Sequence, residues 1–319
     1  MRILFMGTPD FAAVSLNYLT TNDFQVIGVV TQPDRPKGRG MAFQPSPVKE
    51  LALEKGLPIW QPPLIESNEF IPIFRELQPD LVVVVAFGQK IPTEILNTPK
   101  YGCINVHGSL LPQYRGADPI RRALLNGDQI TGITTMFMNE GWDTGDIILQ
   151  KELEIGGDEN FGSLYSRLAE LGGKLLIQTI AALIAGNAPR IHQDDRLATK
   201  ALKIKPEQCR INWEEPAQKI HNLVRALAPL PGAETFFNTE RLKILETRMI
   251  NPSECNISNG CGPGGILAIV KKQGIIVVTG DQPLLLTQMQ PAGKRVMAAT
   301  DCANGRCLKE GMYLCQPEA

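Results

Sequence analysis

"RILFMGTPDFAAVSLNYLTTNDFQVIGVVT", residues 2–31, decides the fold. "RILFMG" is apolar without alternation, the pattern of a strand buried on both faces. "TPD" follows, with Thr8 as the expected helix N-cap and Pro9 at the expected first helical position. Phe11, Val14, Tyr18 and Leu19 then recur at helical spacing, and "FQVIGVVT" reads as a second buried strand. Strand, helix and strand in this order make a βαβ unit, the building block of parallel sheets. The pattern continues along the chain. "DLVVVVAFG" (80–88), "CINVH" (103–107) and "GITTMFM" (132–138) read as three more strands. "DPIRRALLNG" reads as a short helix closed by Gly127. "SLYSRLAELGGKLLIQTIAALIAGN" (163–187) reads as a long helix with Leu164, Leu168, Leu171 and Leu175 on one stripe. The expected fold class is α/β: an open, mostly parallel Rossmann-like sheet with helices on both faces.

Near residue 188 the character changes. "APRIHQDDRLATKALKIKPEQCRINW" (188–213) is polar and aperiodic and reads as a linker. One helix follows, "PAQKIHNLVRALA", and then the short runs "ETFFN", "RLKILET", "GGILAIVKK", "GIIVVTG" and "PLLLTQMQ" between Gly and Pro signals. That spacing predicts a smaller OB-like β-barrel. The expected organisation is a first domain over 1–189, a linker over 190–206 and a second domain over 207–315.

Hydrophobic content of 43% and charged content of 20% over 319 residues fit a soluble globular chain. The net charge of −1 is unevenly divided. Residues 1–190 carry 16 Lys and Arg against 20 Asp and Glu, and residues 191–319 carry 16 against 13, a net −4 and +3. The second value is a weak signal for a phosphate-bearing partner. Seven cysteines without a C-x-x-C pair suggest neither a disulfide framework nor a zinc ribbon, and point to a reducing, cytoplasmic setting. No cluster has metal-ligand spacing, so no metal is expected. "MRILFMGTPDF" is too quickly broken to read as a signal peptide, and "LVVVVAF" and "TIAALIAG" are too short to span a bilayer, so no membrane is expected.

The opening βαβ unit invites a dinucleotide site. Its turn, "GTPDFA", has one glycine where the G-x-G-x-x-G fingerprint needs three, and Pro9 lacks a backbone donor. A nicotinamide dehydrogenase is disfavoured, while the crevice above the turn stays open to another ligand. "GCINVHGSLLP" (102–112) is more telling. Asn105 and His107, two apart in a strand, share a face near the carboxyl end of a central strand, where open α/β sheets bind ligands. Cys103 shares that face, either as a nucleophile beside His107 or, the preferred reading, as a packed thiol. "MNEGWDTGDI" (138–147) places Asp143 and Asp146 in a Gly-rich turn, expected at the same sheet edge as His107. Each is read either as the carboxylate that orients His107 or as a turn cap. "RPKGRGMAFQPSPVK" (35–49) holds Arg35, Lys37, Arg39 and Lys49 and no acid. It reads as a mobile loop, either a solvated one or an arm that orders on RNA phosphates.

"GTPDFA", "TQPDRPKGRG", "PSPVK", "INVHGSLLP", "YRGADPI", "GWDTGDI", "PLPGAET" and "MQPAGKRVMAATDCANG" together resemble the methionyl-tRNA formyltransferase family, from residue 2 to about residue 308. The resemblance implies a formyltransferase fold followed by an OB-like tRNA-binding domain. It implies transfer of a formyl group from 10-formyltetrahydrofolate, a co-substrate, to the α-amine of initiator methionyl-tRNA. It implies catalytic roles for Asn105, His107 and Asp143, folate binding by Ser109, Leu110, Leu111 and Pro112, and tRNA contacts from Arg35, Lys37, Arg39 and Lys49. Amine attack through a tetrahedral oxyanion needs no covalent enzyme intermediate and no metal, and a monomer is expected. Trp142 stands where that family usually has an aliphatic residue. Two alternatives stay open: another 10-formyltetrahydrofolate-dependent enzyme acting on a small amine, and a non-catalytic RNA-binding protein.

Overall fold

The computed structural model describes residues 1–37, 42–250 and 260–315. Its opening unit consists of β1 (Arg2–Gly7), α1 (Asp10–Thr21) and β2 (Gln25–Val30). Ile3, Leu4, Phe5 and Met6 are fully buried, as a strand covered on both faces requires. The helix starts one residue later than expected. Pro9 is its N-cap, with its carbonyl accepting from Ala13 N at 3.1 Å, and Thr8 Oγ1 instead donates to the Phe87 carbonyl, 3.2 Å away. The basic stretch expected as a mobile loop over 35–49 begins in a paired ribbon, β3 (Arg35–Lys37) against β4 (Ala42–Gln44), with Arg35 opposite Gln44, and its last residues open the next helix. Arg39 lies outside the described residues.

Next come α2 (Pro47–Glu54), β5 (Ile59–Trp60), α3 (Phe70–Leu77), β6 (Leu81–Val85), α4 (Thr93–Asn97) and β7 (Cys103–His107). After them run β8 (Arg115–Gly116), α5 (Pro119–Asn126), β9 (Ile130–Phe137), β10 (Ile147–Glu154) and α6 (Phe161–Ile184). The main sheet has the order β10-β9-β7-β6-β1-β2-β5. From β7 to β5 every pairing is parallel, while β9 and β10 are antiparallel to their neighbours. In α6, Leu164, Leu168 and Leu175 are buried and Leu171 is half-buried. A Cβ at Gly173 would run into the Tyr18 ring, so a mid-helix glycine that costs about 1 kcal/mol in propensity is the condition for α1 and α6 to approach. No helix among the described residues is long and apolar enough to cross a membrane.

The polar stretch after α6, expected as a linker, makes sheet contacts of its own. Ile191 exchanges backbone hydrogen bonds with Ile147, and β11 (Lys200–Ala201) pairs in parallel with β8. That stretch as far as Ala201 thus belongs to the first compact unit, made of Met1–Pro119, Ile130–Glu154 and Tyr165–Ala201.

The second unit gathers Ile120–Gln129, Ile155–Leu164 and Leu202–Ala319. It contains α7 (Ala217–Leu227), β12 (Ala233–Phe237), β13 (Glu240–Met249), β14 (Ile266–Val270), β15 (Gly274–Val277), β16 (Leu284–Pro291), β17 (Met297–Ala298) and α8 (Ala299–Arg306). The sheet is antiparallel, in the order β12-β13-β16-β15-β14 with β17 on β16. Its two edges are covered by one segment. Phe236 exchanges both backbone bonds with Cys315, while Met312 O accepts from Ile266 N and Leu314 N donates to Gly264 O. Covering both edges this way closes the ring and leaves no long template for aggregation. Trp213, Ile220, Val224, Ile244, Ile275 and Leu286 fill its interior.

One face of α7 is buried yet polar. His221 Nε2 faces the Gly157 carbonyl at 3.2 Å, and Nδ1 lies 2.9 Å from Thr247 Oγ1. A neutral ring with its proton on Nε2 satisfies both partners. Burial pushes the His221 pKa below its ordinary 6.5, against a smaller opposing pull from the Gly157 carbonyl and Asp158. Below pH 6.5 the unfolded chain binds a proton that the folded chain refuses, so stability falls as pH drops through that value and levels off beneath the depressed folded pKa. Denaturant unfolding across this range should show the loss, and His221→Gln should flatten it. An equal slope in the variant would assign the effect to other groups.

Candidate active site

β7 delivers the site. Alternate residues of a strand share a face, and Cys103, Asn105 and His107 are all buried. Cys103 lies deepest. Its thiol donates to the Ile95 carbonyl at 3.2 Å, and burial pushes its pKa far up. A thiol held protonated is no nucleophile at neutral pH, so Cys103 is packing beneath the site.

Asn105 and His107 sit toward the carboxyl end of the strand and meet Asp143. Asn105 Nδ2 donates to Asp143 Oδ1 at 3.4 Å, and His107 Nδ1 lies 3.8 Å from the same oxygen. His107 Nε2 is 3.0 Å from the Tyr114 carbonyl oxygen, which can only accept, so Nε2 carries a proton and Nδ1 is the nitrogen turned to Asp143. The other carboxylate oxygen, Oδ2, accepts from Gly116 N at 2.8 Å. Asp146 is engaged elsewhere, 3.4 Å from His192 and 3.7 Å from Arg190.

Asp143 reaches this place by a route different from the expected one. His107 pairs with Thr134 and Ile104 with Phe137, so the antiparallel β9 ends beside the start of β7. Met138 N accordingly donates to Cys103 O. The loop after β9 does not leave from the edge occupied by His107; it folds back over the face of β7. The return is tight. A Cβ at Gly145 would overlap the Phe137 carbonyl, and Asp143 itself takes a left-handed φ of 55°.

The residues that hold this loop are ones the sequence did not announce. Gln193, 2% exposed, donates from its amide to both the Asp143 carbonyl (2.9 Å) and the Gly145 carbonyl (2.7 Å). Its own oxygen accepts from Arg115 Nε at 2.9 Å, and Arg115 Nη2 pairs with Asp195 at 2.8 Å. The main chain of Arg115 is held by Thr199 O. Backbone groups such as Tyr114 O and Gly116 N leave no side-chain signature, and Gln193 lies in a stretch with no periodicity.

The four residues expected on the folate side, Ser109 to Pro112, are placed as follows. Ser109 is fully buried and donates to the Gln113 carbonyl at 2.7 Å. Thr134 Oγ1 donates to Ser109 O and accepts from Leu111 N. Leu110, Leu111 and Pro112 line a hollow of about 540 Å³ together with Gln150, Lys151 and Glu152; Asn105, His107 and Asp143 do not line it. Of the basic residues, Arg35 is exposed. Lys49 is ion-paired with Asp34 at 2.6 Å, and Gln61 donates to the other Asp34 oxygen at 2.8 Å. Hydrogen bonds from Lys49 and then Gln61 lower the Asp34 pKa. The acid-free count of residues 35–49 stops one residue short of the partner that neutralises Lys49. Trp142, beside Asp143, is 63% exposed. Among the described residues, no group of three or more His, Cys, Asp or Glu is arranged to hold a metal.

Residues 1–180 match the family model described as formyl transferase, and residues 203–307 match the one described as formyl transferase, C-terminal domain. The methionyl-tRNA formyltransferase of Moorella thermoacetica is 47% identical over 314 residues, 98% of this chain and 99% of the relative. That of Bacillus subtilis is 45% identical over 315 residues, 98% and 97% of the two chains. Among solved structures, HypX of Aquifex aeolicus in complex with tetrahydrofolic acid superposes with a TM-score of 0.64 at 17% identity; the match covers 97% of this chain and 48% of HypX, so the chain spans about half of that protein. A methionyl-tRNA formyltransferase from Clostridium thermocellum gives 0.54 at 19% identity, over 79% of this chain and 94% of the other. These two structures speak to the fold alone; the full-length relatives speak to the family. The chain belongs to the methionyl-tRNA formyltransferase family.

Proposed function

We propose that this chain transfers the formyl group of 10-formyltetrahydrofolate to the α-amine of methionine on initiator tRNA, with Asn105, His107 and Asp143 acting at the reacting atoms. The observation that carries this reading is the convergence of Asn105 Nδ2 and His107 Nδ1 on one negatively charged oxygen, Asp143 Oδ1, at the carboxyl end of a central strand. Attack of the amine on the formyl carbon develops an oxyanion, and only contacts that strengthen as it forms speed the reaction. Asn105 has a second amide hydrogen available to that oxygen. A proton on His107 Nδ1 makes its contact with Asp143 attractive, and once Asp143 takes up a proton from the amine that same Nδ1–H is free to serve the oxyanion as the second donor. Asp143, with Oδ2 held by the Gly116 N–H, keeps Oδ1 between the two donors and takes up the proton that the amine loses; that proton passes to N10 as the tetrahedral adduct collapses, the carbon–N10 bond breaks and tetrahydrofolate leaves. Ser109, Leu110, Leu111 and Pro112 shape the folate side of the site. Incubation with charged initiator tRNA and 10-formyltetrahydrofolate should yield formylmethionine after ester hydrolysis. Formylation of a free small amine without any need for tRNA would overturn the assignment of substrate.

The deep, hydrogen-bonded thiol supports a route without an acyl-enzyme. Cys103→Ser should therefore keep most of the turnover, and a formyl thioester found on Cys103 by mass spectrometry would refute the route.

The basic stretch 35–44, whose sequence holds Arg35, Lys37 and Arg39, and the closed β domain over 207–315 are the regions proposed to hold tRNA phosphates, in a cytoplasmic monomer. Binding through phosphates weakens with salt because counterions are released. Arg35→Ala should raise the KM for tRNA and reduce the salt slope by about one. Lys49→Met should change that slope less, because Asp34 already neutralises Lys49. Equal changes in the two variants would place both side chains on phosphates.

A further inference from the structure

We propose that Gln193 is a positioning residue for the reaction: it fixes the main chain of Asp143, and Arg115 fixes Gln193. The proposal rests on the reading of Asp143 given above. Asp143 stands at φ 55° in a loop folded back over β7, a left-handed conformation that Asp tolerates better than most side chains and that local hydrogen bonds hold in place. Two constraints enforce it. The Gly116 N–H holds the carboxylate from one side, and the Gln193 amide holds the carbonyls of Asp143 and Gly145 from behind.

A carboxamide can turn either end toward a partner, and only its NH₂ end suits two carbonyls. Arg115 Nε, donating to the Gln193 oxygen at 2.9 Å, selects that orientation. Arg115 is in turn anchored by Asp195 through its guanidinium and by Thr199 through its backbone. Gly116, the residue next to Arg115, carries the N–H that holds Oδ2. One short strand, β8, thus governs the side chain of Asp143 directly and its main chain through Gln193. Gln193 is 2% exposed, and apart from an approach of its amide to the Met136 sulfur at 4.0 Å, the hydrogen bonds of its side chain all serve this loop or its anchor. A misplaced carboxylate costs rate rather than affinity, because it disturbs groups that tighten only as the oxyanion forms.

The test is a double-mutant cycle on the full chain with kcat and both KM values measured. Gln193→Met keeps the side-chain length and removes every hydrogen bond. It should lower kcat by about 10- to 100-fold, the scale of a small misplacement of a reacting group, with both KM values near wild type. In an Asp143→Asn background the same change should have little further effect, because the group it positions is already disabled. Equal fold losses in both backgrounds, or wild-type kcat for Gln193→Met, would overturn the proposal while leaving Asp143 in its role. Wild-type kcat for Asp143→Asn would instead overturn the reading of Asp143 and the proposal with it. If Gln193→Met does not fold, Arg115→Lys serves in the same cycle. It keeps the charge on Asp195 but loses the Nε donor that orients the amide. Its smaller kcat loss should likewise vanish beside Asp143→Asn, and persistence of that loss would count against the proposal.

Discussion

His107→Ala lowers kcat by about 10²–10³, the range for losing one donor to a developing oxyanion, and leaves the binding of folate and tRNA nearly unchanged. The expectation follows from where the ring is held. Nε2 is spent on the Tyr114 carbonyl, so the ring contributes through Nδ1 alone, and that atom already faces a negatively charged oxygen. Asn105→Ala should cost a similar factor, since it removes the other donor that faces the same oxygen. The two losses should combine to less than their product, because both donors serve one oxygen. Variants that keep near wild-type turnover while folding normally would reduce these residues to a satisfied polar pair at a strand end. A parallel rise in KM would assign them to ground-state binding.

Arg225→Met should destabilise the protein by about 3 kcal/mol, the cost of leaving several buried acceptors without a donor. Arg225 donates to Asn222 Oδ1, to Gly156 O and to Leu124 O at 3.0, 3.3 and 3.5 Å. Gly156 and Leu124 belong to the two inserts, Ile155–Leu164 and Ile120–Gln129, that join the second unit although they interrupt the first in sequence. Arg225→Lys should recover part of the loss, since one ammonium cannot reach three separated acceptors. Equilibrium denaturation gives the value, and a change within experimental error would show the cluster to be dispensable. A related consequence is that a fragment ending at Ala201 leaves Ile120, Ala123 and Leu124, all buried in the full chain, without the rest of their unit. Functions of the second unit are therefore better dissected by point substitution than by truncation.

Much of this was legible in the residues. The buried strands β1 and β6 stand out as unbroken apolar runs, and the helices α1 and α6 by their period, because each helix buries a stripe that the sequence must paint. The Asn-x-His pair was legible for the same reason, two polar groups in register on a strand otherwise apolar. The direction of β9 was not. "GITTMFM" has the same pattern in a parallel or an antiparallel pairing, since side-chain alternation carries no polarity. That ambiguity hid the route by which Asp143 crosses β7. The stretch holding Gln193 and Thr199 has the composition of a linker, because its polar residues are satisfied by distant backbone groups and composition cannot tell such residues from solvated ones. Lys49 looked free for a simpler reason: its partner, Asp34, lies 15 residues away in sequence.

The central claim is that this chain formylates methionyl initiator tRNA with Asn105, His107 and Asp143 acting at the transition state. Single-turnover formylation by the full chain and by His107→Ala, each saturated with 10-formyltetrahydrofolate and charged initiator tRNA, tests it most directly. The predicted result is formylmethionine from both proteins, with the variant about 10²–10³ slower. No formylmethionine from the unaltered chain, or an equal rate from the folded variant, would contradict it.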